Sequence, residues 1–227
     1  MTIRFAFGSM AITAALHVSP PEFAVPSAAV DVANTGNSDN GQTQTQGWEF
    51  RVTAPISVTA LGIFDSDSDG LVDPHTVGLW TDSASLLASL IVPEGTGTTQ
   101  IGSFRYVDLA APILLTPGQN YVIGALYLGT RDGGTLDPDP ADRDLFISIG
   151  STPIRTFAPE IEFIDPRISS QQTSGLLFPT VQSLHGFSAI LGPSFLFEAT
   201  RQVPEPSTFA LFGVALLAAG QFAVSVE

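Results

Sequence analysis

Asp65-Ser-Asp-Ser-Asp-Gly-Leu-Val-Asp73 sets carboxylates at alternate positions ahead of a glycine, which is the D-x-D-x-D-G spacing of a calcium loop. A hard cation takes many oxygen ligands, and a tightly turned loop with alternate carboxylates presents Asp65, Asp67 and Asp69 from one side. Gly70 would supply the sharp turn, the Leu71 carbonyl would be the next ligand, and Asp73 stands at the ninth position. The twelfth position holds Thr76 where an EF-hand places a bidentate glutamate, and a strand pattern precedes the loop where an EF-hand has a helix. The loop is therefore not an EF-hand. Two readings stand: a calcium-stabilised β-loop, or an acidic surface turn that needs no metal.

Other reactive groups are sparse. A second acidic stretch carries Asp137, Asp139, Asp142 and Asp144 among prolines and glycines. It reads as a long solvated connection paired with Arg131 and Arg143, able to share a cation only if it folds against the first loop. The histidines are His17, His75 and His185, too few and too scattered for a histidine-rich zinc site. His75 opens a strand pattern and reads as a hydrogen-bonded residue at a loop end. No G-x-S-x-G elbow nominates a serine nucleophile. Polysaccharide hydrolysis needs two carboxylates at a set distance, and among 22 acidic residues sequence alone selects no pair. The eight basic residues are all arginine, so Schiff-base, pyridoxal phosphate and Walker-type lysine chemistry are excluded. With no cysteine, thiol nucleophiles, thiolate zinc sites and disulfides are excluded too.

The elements that must hold these groups are strands. Trp48–Val52, Ile56–Phe64, His75–Trp80, Leu86–Val92, Phe104–Leu109, Tyr121–Leu128, Leu145–Ile149, Glu160–Ile164 and Ser194–Thr200 are short runs rich in β-branched and aromatic residues, several of them alternating. Proline or glycine separates most of them, and Leu115-Thr-Pro-Gly118 marks a turn. No amphipathic run of helical period competes. The expected fold is all-β, a jelly-roll-like antiparallel β-sandwich over residues 47–201, with Trp48 and Trp80 filling the space between sheets. Residues 30–46, polar and without period, read as a linker.

The charge balance narrows the partners. A formal net charge of −14 opposes nucleic-acid binding, which requires a basic surface to neutralise phosphates. It also opposes unaided binding to anionic lipid, and leaves divalent cations and neutral polysaccharide as acceptable partners. The 44% apolar fraction is enough for a substantial core.

Both ends carry address-like segments. Arg4 precedes about a dozen mostly apolar residues, too few to span a bilayer comfortably. Ser27-Ala28-Ala29 then offers the small-x-small pattern that a signal peptidase reads, so residues 1–29 are expected to be a cleaved signal peptide. At the other end, Phe209–Val226 is an apolar stretch interrupted only by Gln221 and Ser225. Pro204 and Pro206 prevent a helix from running into it from upstream, so it starts as a new element and reads as a hydrophobic transmembrane helix.

Val203-Pro-Glu-Pro-Ser-Thr208 followed by this Leu/Ala/Gly segment resembles the PEP-CTERM sorting signal of Gram-negative bacteria. The resemblance spans residues 203–227 and implies recognition through Pro204, Glu205 and Pro206 by an exosortase, a membrane-embedded cysteine transpeptidase. The family's terminal basic cluster is replaced here by Ala223-Val-Ser-Val-Glu227, which leaves helix orientation weakly specified. Further segments, Gly47–Val52, Val58–Asp65, Asp69–Trp80, Phe104–Val107, Leu115–Gly118 and Tyr121–Ala125, are similar to an exported β-sandwich domain of unknown function found on PEP-CTERM proteins. That similarity supports fold and location and carries no catalytic residues.

Together these features lead to the expectation of an exported, non-enzymatic structural or adhesive protein of the cell surface or extracellular matrix. It would associate with exopolysaccharide and be membrane-anchored, either transiently until its tag is processed or permanently. The alternative is a carbohydrate-binding module, with calcium as its possible cofactor; a secreted polysaccharide hydrolase comes third.

Overall fold

The computed structural model describes residues 25–32, 43–65, 68–128, 147–149, 155–171, 173–182 and 187–199. Residues 1–24, the second acidic stretch and the C-terminal tag lie outside them. The described residues form fourteen strands and no helix. In chain order they are β1 (Ser27–Ala28), β2 (Val30–Val32), β3 (Thr43–Val52), β4 (Ile56–Phe64), β5 (His75–Thr81), β6 (Leu86–Val92) and β7 (Thr99–Ile101). There follow β8 (Phe104–Leu115), β9 (Asn120–Leu128), β10 (Ile147–Ile149), β11 (Arg155–Phe157), β12 (Ile161–Ile168), β13 (Phe187–Ile190) and β14 (Pro193–Ala199).

Two five-stranded sheets carry the fold, ordered β1-β14-β4-β8-β7 and β12-β3-β9-β5-β6. Two-stranded pairs, β10-β13 and β11-β2, complete it, and every pairing is antiparallel. The large sheets are joined through an aromatic seam. Phe50 on β3 meets Phe195 on β14 with ring centroids 4.9 Å apart, and Trp48 stacks on the same phenylalanine at 6.1 Å. Buried aromatic pairs of this kind add about 0.5–1.5 kcal/mol beyond their area burial. Trp48 also donates its Nε1–H to the Pro193 carbonyl at 2.8 Å, so the one polar atom it takes into the core is satisfied across the sandwich.

The second sheet is covered on both faces. Its inner face meets the first sheet. Its outer face is overlaid by the chain after β12, where Ile168 bridges Val181 and the Leu177 amide donates to Thr45 Oγ1 at 2.9 Å. This cover explains why β9 reads Tyr-Val-Ile-Gly-Ala-Leu-Tyr and is buried nearly end to end, where a one-sided strand would alternate.

Under that cover lies a row of three glycines in register, Gly47 on β3 opposite Gly124 on β9, itself opposite Gly78 on β5. The indole of Trp80 folds back over Gly78 and meets Phe178 edge-on at 6.0 Å. Bare backbone at three adjacent positions is what lets a tryptophan and the overlying chain sit flat on the sheet.

The boundaries of β4 and β6 coincide with those expected from sequence, whereas β3 begins earlier, at Thr43, and β8 runs on to Leu115. The polar stretch 30–46, expected as a linker, is strand at both ends. Val30–Val32 pairs with β11, and Thr43–Gln46 opens β3 with Gln44, Thr45 and Gln46 all buried. Its polarity misled because the pairing partners supply the burial, which no local pattern records. At the expected turn, Gly118 takes a φ of +78°, the value a type II turn requires at its third residue, and its N–H returns to the Val52 carbonyl.

Candidate functional site

The acidic loop leaves β4 at Asp65 and is tied down immediately. Asp65 is 1% exposed. Its Oδ2 accepts from Arg105 Nε at 2.5 Å and its Oδ1 from the Ser68 amide at 3.1 Å. Arg105, on β8 and itself buried, also donates from Nη2 to the Ser68 carbonyl at 3.2 Å and to Gln100 Oε1 at 3.4 Å. One guanidinium thus clamps the carboxylate, the loop backbone and the β7 hairpin together, using the planar fork that suits arginine to such a role.

Farther along, Gly70 sits at φ +126° with Gly95 close above it, and Leu71 bridges Gly95. The Leu71 carbonyl accepts the Gly95 amide at 2.8 Å. Among the groups nominated as calcium ligands, the Asp65 carboxylate is held by Arg105 and the Leu71 carbonyl by the Gly95 amide. Asp69 is exposed, Asp73 is half-buried, and Asp67 lies outside the described residues. Among the described residues, no three His, Asp or Glu side chains are grouped to hold a metal ion.

A second buried ion pair was not singled out from sequence. Glu49 on β3 accepts from Arg167 on β12 through Nη2 at 2.6 Å and Nε at 3.1 Å, both residues being about 5% exposed. Its other oxygen accepts from Asn120 Nδ2 at 2.8 Å, and Gln182 from the overlying chain donates to Oε2 at 3.3 Å. Asn120 in turn accepts from Arg51 Nε, and Arg51 reaches Glu162 on the surface. The carboxylate is saturated with donors and pins the cover to the sheet. The alternation Trp48-Glu49-Phe50-Arg51 placed Glu49 on the face opposite the core, but only the later chain crossing that face buries it.

His75 is buried at the start of β5 and donates from Nδ1 to the Leu126 carbonyl at 3.1 Å, beside the Tyr127 ring. It holds a loop end, as its position suggested. Trp48 is fully buried and Trp80 is 4% exposed, so neither offers a face for stacking on a sugar. No helix among the described residues is long and apolar enough to cross a membrane. Pro204, Glu205 and Pro206 lie outside the described residues.

Comparison with known families gives two matches. Residues 202–225 match the PEP-CTERM protein-sorting motif, and residues 30–134 match DUF4082, a domain of unknown function. Comparison with curated proteins and with solved structures returned no significant match. The sorting motif implies an exported protein that is processed by an exosortase and membrane-associated beforehand. The DUF4082 match begins at Val30, the first residue of β2, and so takes in the polar stretch that leads into β3. The chain carries a PEP-CTERM protein-sorting motif behind a DUF4082 domain.

Proposed function

We propose that this is a non-enzymatic structural or adhesive protein delivered to the outer surface or the extracellular matrix, where it associates with exopolysaccharide. A signal peptidase removes its leader, its C-terminal segment holds it in the membrane as a helix, and an exosortase reads Pro204, Glu205 and Pro206. The sorting motif carries this reading. It is supported by the way the buried charges are used: Asp65 with Arg105 and Glu49 with Arg167 are locked pairs that join strands. A catalytic acid or base needs access to a substrate, which a buried carboxylate saturated with protein donors lacks. The sandwich fits the jelly-roll type in that the chain passes repeatedly between sheets, from β3 to β4, β4 to β5, β6 to β7, β8 to β9 and β12 to β14. The carbohydrate-binding alternative loses the aromatic platform that it would have drawn from Trp48 and Trp80.

The test is fractionation of a Gram-negative host that possesses an exosortase, with the natural chain and with Glu205→Ala and Pro206→Ala introduced together. The natural chain is expected in the surface or extracellular fraction at a mass reduced by loss of the tag. The variant should be retained in the membrane with its tag intact. Identical location and mass for both would overturn the sorting role of the motif.

A further inference from the structure

The segment that sequence pattern marks for signal-peptidase cleavage is built into the fold. Ser27 and Ala28 pair with Phe197 and Leu196 on β14. Ala29 is fully buried; its N–H donates to the Phe195 carbonyl at 2.9 Å and its carbonyl accepts the Ala158 amide at 3.0 Å. Val30 is fully buried as well and is registered against Phe157 on β11. A cut after Ala29 would delete β1 and leave β14 and the Ala158 amide without these backbone partners. It would also place a new α-ammonium on Val30, a residue fully buried in the intact chain, and a charge taken into such a site without a partner is strongly disfavoured. By contrast Val25 is 86% exposed, so the chain reaches water just ahead of β1.

We infer that the leader is cut upstream of Val25, after Ala15, and that the exported chain begins at Leu16. This rests on the export reading above. Thr13-Ala14-Ala15 presents small residues at both recognition positions directly after the apolar run Phe5–Ile12 that follows Arg4, the order a secretory signal requires. Ser9-Met-Ala11 falls inside that run, and Glu22-Phe-Ala24 places a carboxylate where a small neutral side chain is needed. Cleavage after Ala15 breaks one peptide bond by hydrolysis and leaves the eleven residues Leu16 to Pro26 ahead of β1, between the new ammonium and the first strand.

The experiment is N-terminal sequencing and intact-mass measurement of the full chain exported from a Gram-negative host, alongside Ala15→Leu and Ala29→Leu. The expected start is Leu16, with Ala15→Leu accumulating as uncut precursor and Ala29→Leu still cut at Leu16. A start at Val30, with cleavage blocked by Ala29→Leu, would overturn both the site and the structural constraint behind it. Any other start overturns Ala15 as the site. A chain retaining Met1 overturns the export reading itself and the site with it, which separates the two failures.

Discussion

Gln46 sits in β3 with its side-chain amide fully buried and neither Oε1 nor Nε2 hydrogen-bonded. An orphaned buried polar group costs about 1–3 kcal/mol, and methionine fills a similar volume without that cost. Gln46→Met is therefore expected to raise stability by about 1 kcal/mol, read as a higher midpoint in urea with an unchanged slope. Tyr106 gives the opposite kind of test. Burial pushes its phenol well above the ordinary tyrosine range, against the smaller lowering effect of its hydrogen bond to Ser194, with a further small rise from the Asp31 charge. The native state thus keeps the proton that the unfolded chain releases above roughly pH 10. Stability contributed by this group is complete below that pH and falls as the pH rises beyond it. Unfolding followed from pH 9 to 11 (roughly, bracketing the free tyrosine value) should show a decline that Tyr106→Phe reduces. Neither residue announces this role in sequence. Gln46 lies in a polar run and Tyr106 in an ordinary strand, and their environments come from strands far away along the chain.

The three-glycine row decides how β3, β9 and β5 carry their outer cover. A Cβ on Gly47 would run into the Ile123 carbonyl oxygen, which is backbone in the neighbouring strand and has nowhere to go. A Cβ on Gly78 would meet the far edge of the Trp80 indole, a side chain that can turn away. Gly78→Ala should accordingly cost about 1–3 kcal/mol, the usual range for overpacking, while Gly47→Ala should cost more and lower the yield of folded protein. A Gly78→Ala variant less stable than Gly47→Ala would contradict this order, as measured by thermal unfolding of the two side by side. The strands themselves were largely legible, because β-branched and aromatic runs between Pro and Gly punctuators are local features. Short β1, β2, β7, β11 and β13 were not, since two to four residues carry no usable period and exist as strands only because a partner is present.

With a net charge of −14, the whole molecule repels itself, and added salt should stabilise it by screening. Calcium would share in that general effect, so the acidic loop is tested by comparing calcium with sodium at matched ionic strength. Because Arg105 neutralises Asp65 and Gly95 occupies the Leu71 carbonyl, the two salts are expected to raise the unfolding midpoint equally. A calcium-specific rise that Asp69→Ala abolishes would instead make the loop a metal site, since binding to the folded state must shift the midpoint. By itself the sequence determined the all-β class, the excluded chemistries and the sorting tag, because residue periodicity, missing side-chain types and a linear Pro-Glu-Pro motif need no third dimension to be read. Tertiary structure alone decided that residues 27–29 are built into the sandwich, that both tryptophans are closed to ligands, and that Asp65 and Glu49 answer to arginines 40 and 118 residues away. Burial and ion pairing of this kind arise between strands distant in sequence, and the spacing of residues along one strand holds no record of what will lie across from it.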